Sequence, residues 1–227
     1  MSLHWTPAAR PARDAIEGEL VRLEPVDVER HEKDLYAAQA GAPEIWEYLP
    51  DGPFAGAADF HRWLVGRAAS DDPLFYSIVD RASARALGMA SYLRITPDHG
   101  VIEVGYIWYS PALQRTRMAT EAMYVMARQV FDDLGYRRYE WKCNALNEPS
   151  RRAALRLGFT FEGVFRQHMV VKDRNRDTAW YSMLDSEWPA AKAAFEAWLR
   201  PENFDAGGRQ LRALAELRVV AGERRLV

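Results

Sequence analysis

The chain has 227 residues, 48% of them hydrophobic, with 30 Lys and Arg against 32 Asp and Glu. That length fills one domain, and a net charge of −2 with no basic block argues against a protein that tracks a nucleic-acid backbone. A lone cysteine, Cys143, rules out an internal disulfide, and no apolar run reaches the roughly 18 residues that a membrane helix needs.

Residues 1–18 carry Pro7, Pro11 and two arginines without periodicity and read as a loose arm, ahead of a main domain at 19–188 and a helical extension at 189–227. The opening Met1-Ser2-Leu3-His4 lacks the charged-then-apolar order of a secretion signal, so a cytoplasmic location is expected. Residues 19–26 alternate as a strand would. Helical spacing follows at 28–40 and 57–69, joined by a proline-rich stretch that holds Trp46, Tyr48 and Phe54. Strands are expected at 74–80, 86–95 and 101–109, with a hairpin turn at Asp98, His99 and Gly100. Gly105 lies mid-strand, where glycine marks a bulge or a close backbone approach.

Ala119, Ala122, Met123, Met126, Ala127, Val130, Phe131 and Leu134 form one apolar stripe at helical spacing, and Gly135 ends it. Residues 138–144 alternate polar with apolar, and Asn147 with Pro149 then caps a short helix carrying Ala153, Ala154 and Leu157. A long hairpin is expected from 160–171 and 178–184, then helices at 190–199 and 210–217. This order predicts an α+β fold with a mostly antiparallel sheet. Its parallel exception pairs 101–109 with 138–143, because a helix connects them.

At these residues the chain resembles the GCN5-related N-acetyltransferase (GNAT) superfamily over roughly residues 20–188, most closely its RimJ/RimL-like branch of ribosomal-protein N-terminal acetyltransferases. The family's acyl-CoA motif, Gln/Arg-x-x-Gly-x-Gly/Ala, is met by Gln114, Arg115, Thr116, Arg117, Met118 and Ala119, with Arg117 where glycine is usual. Its second signature appears as Asn147, Ser150, Gly158 and Phe159. The resemblance implies acetyl-CoA as acyl donor and an amine as acceptor. It also implies a splayed parallel strand pair whose first member, at Ile107, Trp108 and Tyr109, holds the pantetheine arm. Asn147 and Ser150 belong to the same cofactor frame. Free amides from Gln114 to Thr120 would seat the pyrophosphate at a helix N-terminus, and Arg117 must then point away or wrap the anion.

An amine must lose a proton before it attacks a thioester. Glu103, in an otherwise apolar strand, is the candidate base, since burial raises a carboxyl pKa; its plain alternative is an ion pair with Arg94. Ser150 is the candidate acid toward the leaving sulfur, with Tyr106 and Tyr181 behind it; its plain alternative is helix capping. Cys143 shares a strand face with Tyr139 and Trp141 and reads as a small buried hydrophobe, not as a ping-pong nucleophile. The five histidines show no ligand spacing, so no metal is expected. The resemblance places acceptor binding at Trp46, Tyr48, Phe54, Arg94, Arg166 and His168, with Arg174 and Asp177 nearby. The expected function is acetyl transfer, directly within a ternary complex, to a primary amine such as a protein N-terminus. The alternatives are a small amine acceptor of polyamine or aminoglycoside type, a non-catalytic acyl-CoA-binding module, and an assembly role. In the last, Leu211, Leu214 and Leu217 of the extension pack on a second subunit, forming a homodimer.

Overall fold

The computed structural model describes residues 4–223; the first three residues of the arm and the last four of the extension lie outside the described residues. Strands β1 (Ile16–Glu17), β2 (Val21–Pro25), β3 (Leu74–Asp80), β4 (Ala86–Thr96), β5 (Val101–Tyr109), β6 (Arg138–Asn144), β7 (Thr160–Val171) and β8 (Arg174–Leu184) form one sheet in the order β1-β2-β3-β4-β5-β6-β8-β7. Every adjacent pair is antiparallel except β5 and β6, joined through α3 (Arg117–Arg128).

Alternation along the strands sorts the side chains onto two faces. One face carries Ile102, Val104, Tyr139, Trp141 and Cys143 against α3, α4 (Glu148–Leu157) and α5 (Trp188–Leu199). The other carries Phe75, Met89 and Trp108 against α1 (Val28–Gln39), α2 (Ala57–Ala68) and the turn Pro43–Trp46. Local chemistry sets the helix starts: Asp27, Thr116 and Asn147 each accept a backbone N–H from three residues on. Gly158 ends α4 at φ +105, a conformation that favours glycine.

Three expectations change. The arm is tied down: Trp5 Nε1 donates to the Asp98 carbonyl at 2.8 Å, Arg13 donates to the carbonyls of Ala68 and Ser70, and Ile16–Glu17 joins the sheet. The long helix stays α-helical only to Arg128, and Gln129–Asp133 widens to a π-turn that keeps Val130 and Phe131 buried. The last helix, α6, spans Leu214–Glu223 and not 210–217, because Gln210 pairs with Phe204 and accepts from Trp198 Nε1. Leu214 and Leu217 are buried in the chain's own core and only Leu211 is exposed, so the leucine face expected to meet a second subunit is already covered.

Arg138 on β6 reaches across β8 to Glu162 on β7 in a two-pronged ion pair, and Ser182 donates to the same carboxylate at 2.6 Å. The hydrogen bond from Arg138 holds the Glu162 carboxyl down at about 2, against 4.5 unperturbed. A depressed carboxyl pKa stabilises the fold above the unfolded value and loses that contribution as pH falls through the folded one. Glu162 is 39% exposed, so screening leaves about 1 kcal/mol. Urea titrations should therefore show Glu162→Gln less stable than the parent by about that amount at pH 7, the gap closing as pH falls from 4.5 toward 2.

Candidate active site

β5 and β6 pair only from Val101↔Arg138 to Val104↔Trp141. Beyond that point β6 continues against β8, while β5 continues against β4 through a bulge: Gly105 faces Ser91 but Trp108 already faces Met89. Tyr106 in the bulge has φ +48. A slot therefore opens through the sheet, and the β5 edge from Gly105 to Tyr109 lacks a strand partner on that side. Backbone amides and carbonyls so placed call for a hydrogen-bonding guest.

On the α1/α2 face of this slot lies a buried charge ladder. Lys142 Nζ donates to Glu103 Oε2 and to Glu140 Oε2, both at 2.8 Å, and sits 3.7 Å from the centre of the Trp180 ring. Arg94 Nε stands 3.5 Å from the same Glu103 oxygen, so the expected Arg94 contact exists but Lys142 is the closer partner. The two carboxyls diverge. Burial outweighs the Lys142 attraction and raises Glu103, whereas the hydrogen bonds from Lys142 and Arg138 overcome burial and hold Glu140 below its usual value. Glu103 Oε1 turns toward the bulge: a Cβ added to Gly105 would lie 3.5 Å from it.

The opposite face carries the other candidates. Ser150 Oγ accepts from Trp141 Nε1 at 3.0 Å, which leaves its own proton to donate, and its backbone N–H is capped by Asn147 at 3.1 Å. Cys143 is buried here, and desolvation pushes its thiol pKa up, with Ser150 offsetting part of the shift. A protonated, buried thiol is a poor nucleophile.

The expected pyrophosphate seat is built before the helix begins. Gln114 Nε2 donates to the Tyr109 carbonyl at 3.0 Å, and Thr116 Oγ1 donates to the Leu113 carbonyl while accepting from Ala119 N–H at 3.1 Å. Arg115 takes φ +60. Arg117 points away from the seat: it donates to the Leu199 carbonyl, and its guanidinium lies 4.6 Å from the Phe204 ring centre. Thr116 occupies the Ala119 N–H, but the amides of Arg117 and Met118 at the helix start stay open to an anion, so the chain fits the acyl-CoA that its motifs imply. Met118 packs on the core, and the buried Thr120 hydroxyl accepts from Arg156. Ile107 and Tyr109 also pack on that core, while the Trp108 side chain is buried on the opposite face.

The residues expected to bind acceptor separate. Trp46 is wholly buried, its indole packed on Phe54, Trp63 and Trp108, because the turn Pro43–Trp46 directs it inward. It offers the groove only a backbone carbonyl, which accepts from Lys172 at 2.7 Å and pins the β7–β8 tip to the α1–α2 joint. Phe54 and Tyr48 are half-buried beside it. Arg94 is exposed next to Glu103. Arg166 and His168 are exposed on β7, His168 sharing a hydrogen bond with Thr178 and lying 5.9 Å from Trp180. Sequence reasoning did not foresee Lys142 or Trp180. The signal was present, since the parallel register that pairs 101–104 with 138–141 puts the polar face of β6 beside Glu103.

The acetyltransferase (GNAT) domain model matches residues 21–160, and the chain belongs to that family of acetyl-CoA-dependent N-acetyltransferases. A crystal structure of a GCN5-related N-acetyltransferase from Brucella melitensis is 51% identical, with TM-score 0.93 over 95% of this chain and 99% of that one. Escherichia coli ribosomal-protein-serine acetyltransferase is 29% identical over 102 residues, 44% of this chain and 56% of that protein, so the match spans little more than half of this relative. Bacillus subtilis YdaF, whose name assigns it provisionally to ribosomal N-acetylation, is 26% identical over 75% of this chain and 92% of its own. Among the described residues no helix is long and apolar enough to cross a membrane.

Calorimetry with CoA tests the seat. Arg117→Gly should leave CoA affinity within about threefold while costing about 1–2 kcal/mol of stability, because it removes a partly buried hydrogen bond and a cation–π contact. Ala119→Pro, which deletes the Thr116 cap and so disturbs the helix start that aims the Arg117 and Met118 amides, should lower CoA affinity by about tenfold.

Proposed function

We propose that the chain moves an acetyl group from acetyl-CoA to a protein N-terminal amine, directly within a ternary complex, with Glu103 as general base and Ser150 as proton donor to the departing thiolate. The observation that carries this reading is the division of labour within the Glu103 carboxylate. Oε2 is held by Lys142 at 2.8 Å, while Oε1 faces the bulge where the acyl group of the donor would enter the slot. A carboxyl raised by burial is a better base once ionised, and its position gives the amine proton a destination. The names of the E. coli and B. subtilis relatives support a protein acceptor. Trp46, Tyr48, Phe54, Arg94, Arg166 and His168 surround the approach from the helix joint and the hairpin, with Trp46 contributing through the partners it packs on.

The acceptor amine approaches from the α1/α2 face and gives its proton to Glu103 Oε1, directly or through one water, as nitrogen attacks the thioester carbon. The tetrahedral intermediate collapses by breaking the carbon–sulfur bond. Ser150, on the far face, donates its hydroxyl proton to the sulfur and recovers one from solvent. Amide product and CoA thiol then leave.

Glu103→Gln should fold, because Lys142 keeps Glu140 as its partner. Its turnover should fall by about 10²-fold. The parent rate should decline on acidification with an apparent pKa above the ordinary carboxylate range, and that limb should vanish in the variant. A loss under about threefold would remove Glu103 from the role of base. Cys143→Ala should retain turnover within about fivefold, and mass spectrometry after mixing with acetyl-CoA alone should find no acetyl on Cys143.

A further inference from the structure

The charged groups on the acceptor face of the slot are matched almost completely. Arg67 on α2 pairs with Asp51 at 2.7 Å, Lys142 with Glu103 and Glu140, Arg138 with Glu140 and Glu162, and Arg94 with Glu103. Arg166 and Arg176 make no ion pair among the described residues, and of the two only Arg176 has a buried Nε. It lies on β8 two residues beyond Thr178, which is opposite the last residue of β6, and so stands past the end of β6 where the slot widens. Strand alternation puts it on the same face as Trp180, the residue that stacks on Lys142. Among the described residues its side chain makes no ion pair or hydrogen bond, yet its Nε has no solvent exposure.

Nor is Arg176 alone in this. Trp180 Nε1, Arg67 Nε and Trp63 Nε1 are likewise buried donors without an acceptor. Arg67 and Trp63 line the α2 side of the bulge, with the Arg67 guanidinium 5.7 Å from the Tyr106 ring centre and 5.5 Å from that of Trp63. Burial raises the Tyr106 hydroxyl above its usual pKa, and the charges of Asp51, Arg67, Arg176 and Glu103 all act on it. Unpaired buried donors are costly, so a site with a surplus of donors is completed by a ligand rich in acceptor oxygen.

We infer that Arg176 is a specificity-determining residue that binds a carboxylate on the acceptor, within one residue of the reacting amine. Its preferred acceptor is a peptide whose first or second residue is acidic. A guanidinium in this position attracts a carboxylate through paired, charge-assisted hydrogen bonds and repels an acceptor with a basic second residue. The inference rests on the peptide-acceptor reading above. The same chemistry is available in the α-carboxylate of a free amino acid, and the experiment separates the two sources.

Steady-state thiol release would be followed for synthetic peptides that begin Ser-Glu, Ser-Gln or Ser-Lys and are otherwise identical, and in parallel for free glutamate and serine. The parent should favour the Ser-Glu peptide over the Ser-Lys peptide by about tenfold or more in kcat/KM. Arg176→Gln should raise KM for the Ser-Glu peptide by about tenfold and bring the acidic-to-basic ratio toward one, and Arg176→Lys should recover part of it. CoA affinity by calorimetry reports that each variant is folded. Peptide turnover without a charge preference, or a preference that survives Arg176→Gln, would overturn the role of Arg176 while leaving the peptide reading intact. Arg176-dependent turnover of the free amino acids alone would uphold the carboxylate contact and overturn the peptide acceptor. No turnover of either set would overturn both.

Discussion

The parting of β5 from β6 after Val104↔Trp141 governs the rest of the molecule. Two parallel strands that stayed in register would satisfy each other's backbone and leave a closed sheet. Here β8 pairs β6 on its other edge along the whole of Arg138 to Asn144, and the bulge between Met89 and Ser91 turns β5 away, which leaves the facing edges of β5 and β6 apart beyond Val104↔Trp141. The backbone groups that this separation leaves unpaired would be expensive inside a core, and at a slot they become a binding surface. Around that opening the strand-to-helix turn at 110–116 aims the α3 amides, and α4 starts beside it from the Asn147 cap. The unsatisfied donors on the strand edge come from that separation, and those at the helix start from helix geometry itself.

A slot through a sheet exposes whatever lies on its walls, and the charge ladder of Glu103, Lys142, Glu140, Arg138 and Glu162 is the response. Burying a single carboxylate would push it to the neutral form. Sharing one lysine between two carboxylates leaves them unequal. Glu140, with two cations, is held low; Glu103, with a lysine at one oxygen and the distant Arg94, is raised. The asymmetry distinguishes a carboxyl able to exchange a proton from one fixed as a salt-bridge partner.

Most of the architecture was legible because it follows from periodicity. The stripe from Ala119 to Val130, the alternation at 138–144 and the cap at Asn147 are local properties, and the parallel pair followed from a helical crossover. The site was legible where a motif specifies backbone, and obscure where side chains from distant elements converge. Trp46 shows the failure. Its aromatic, proline-rich context fits both a groove wall and a core plug, and only the turn geometry decides for the core. Arg117 shows another. The sequence offered two orientations at the anion seat, and the choice depended on Leu199 and Phe204, more than eighty residues away. Trp180 and Arg176 were hidden for the same reason, since β8 enters the sheet between β6 and β7 and no spacing in the sequence announces that insertion.

The two-faced placement of the candidate groups bears on how the proposed transfer is organised. Glu103 and Lys142 occupy the α1/α2 face of the sheet; Ser150, Cys143 and Trp141 occupy the other. A covalent relay through Cys143 would require the acceptor to reach the helix-covered face, where that thiol is buried and held protonated by desolvation. In a direct transfer the thioester spans the slot. In that proposal the amine would meet the carbonyl carbon from the Glu103 side, and the sulfur would depart toward Ser150, whose Oγ accepts from Trp141 and whose N–H is capped by Asn147. One opening between two strands thereby separates the incoming proton acceptor from the outgoing proton donor, so neither can neutralise the other before the substrate fills the space between them.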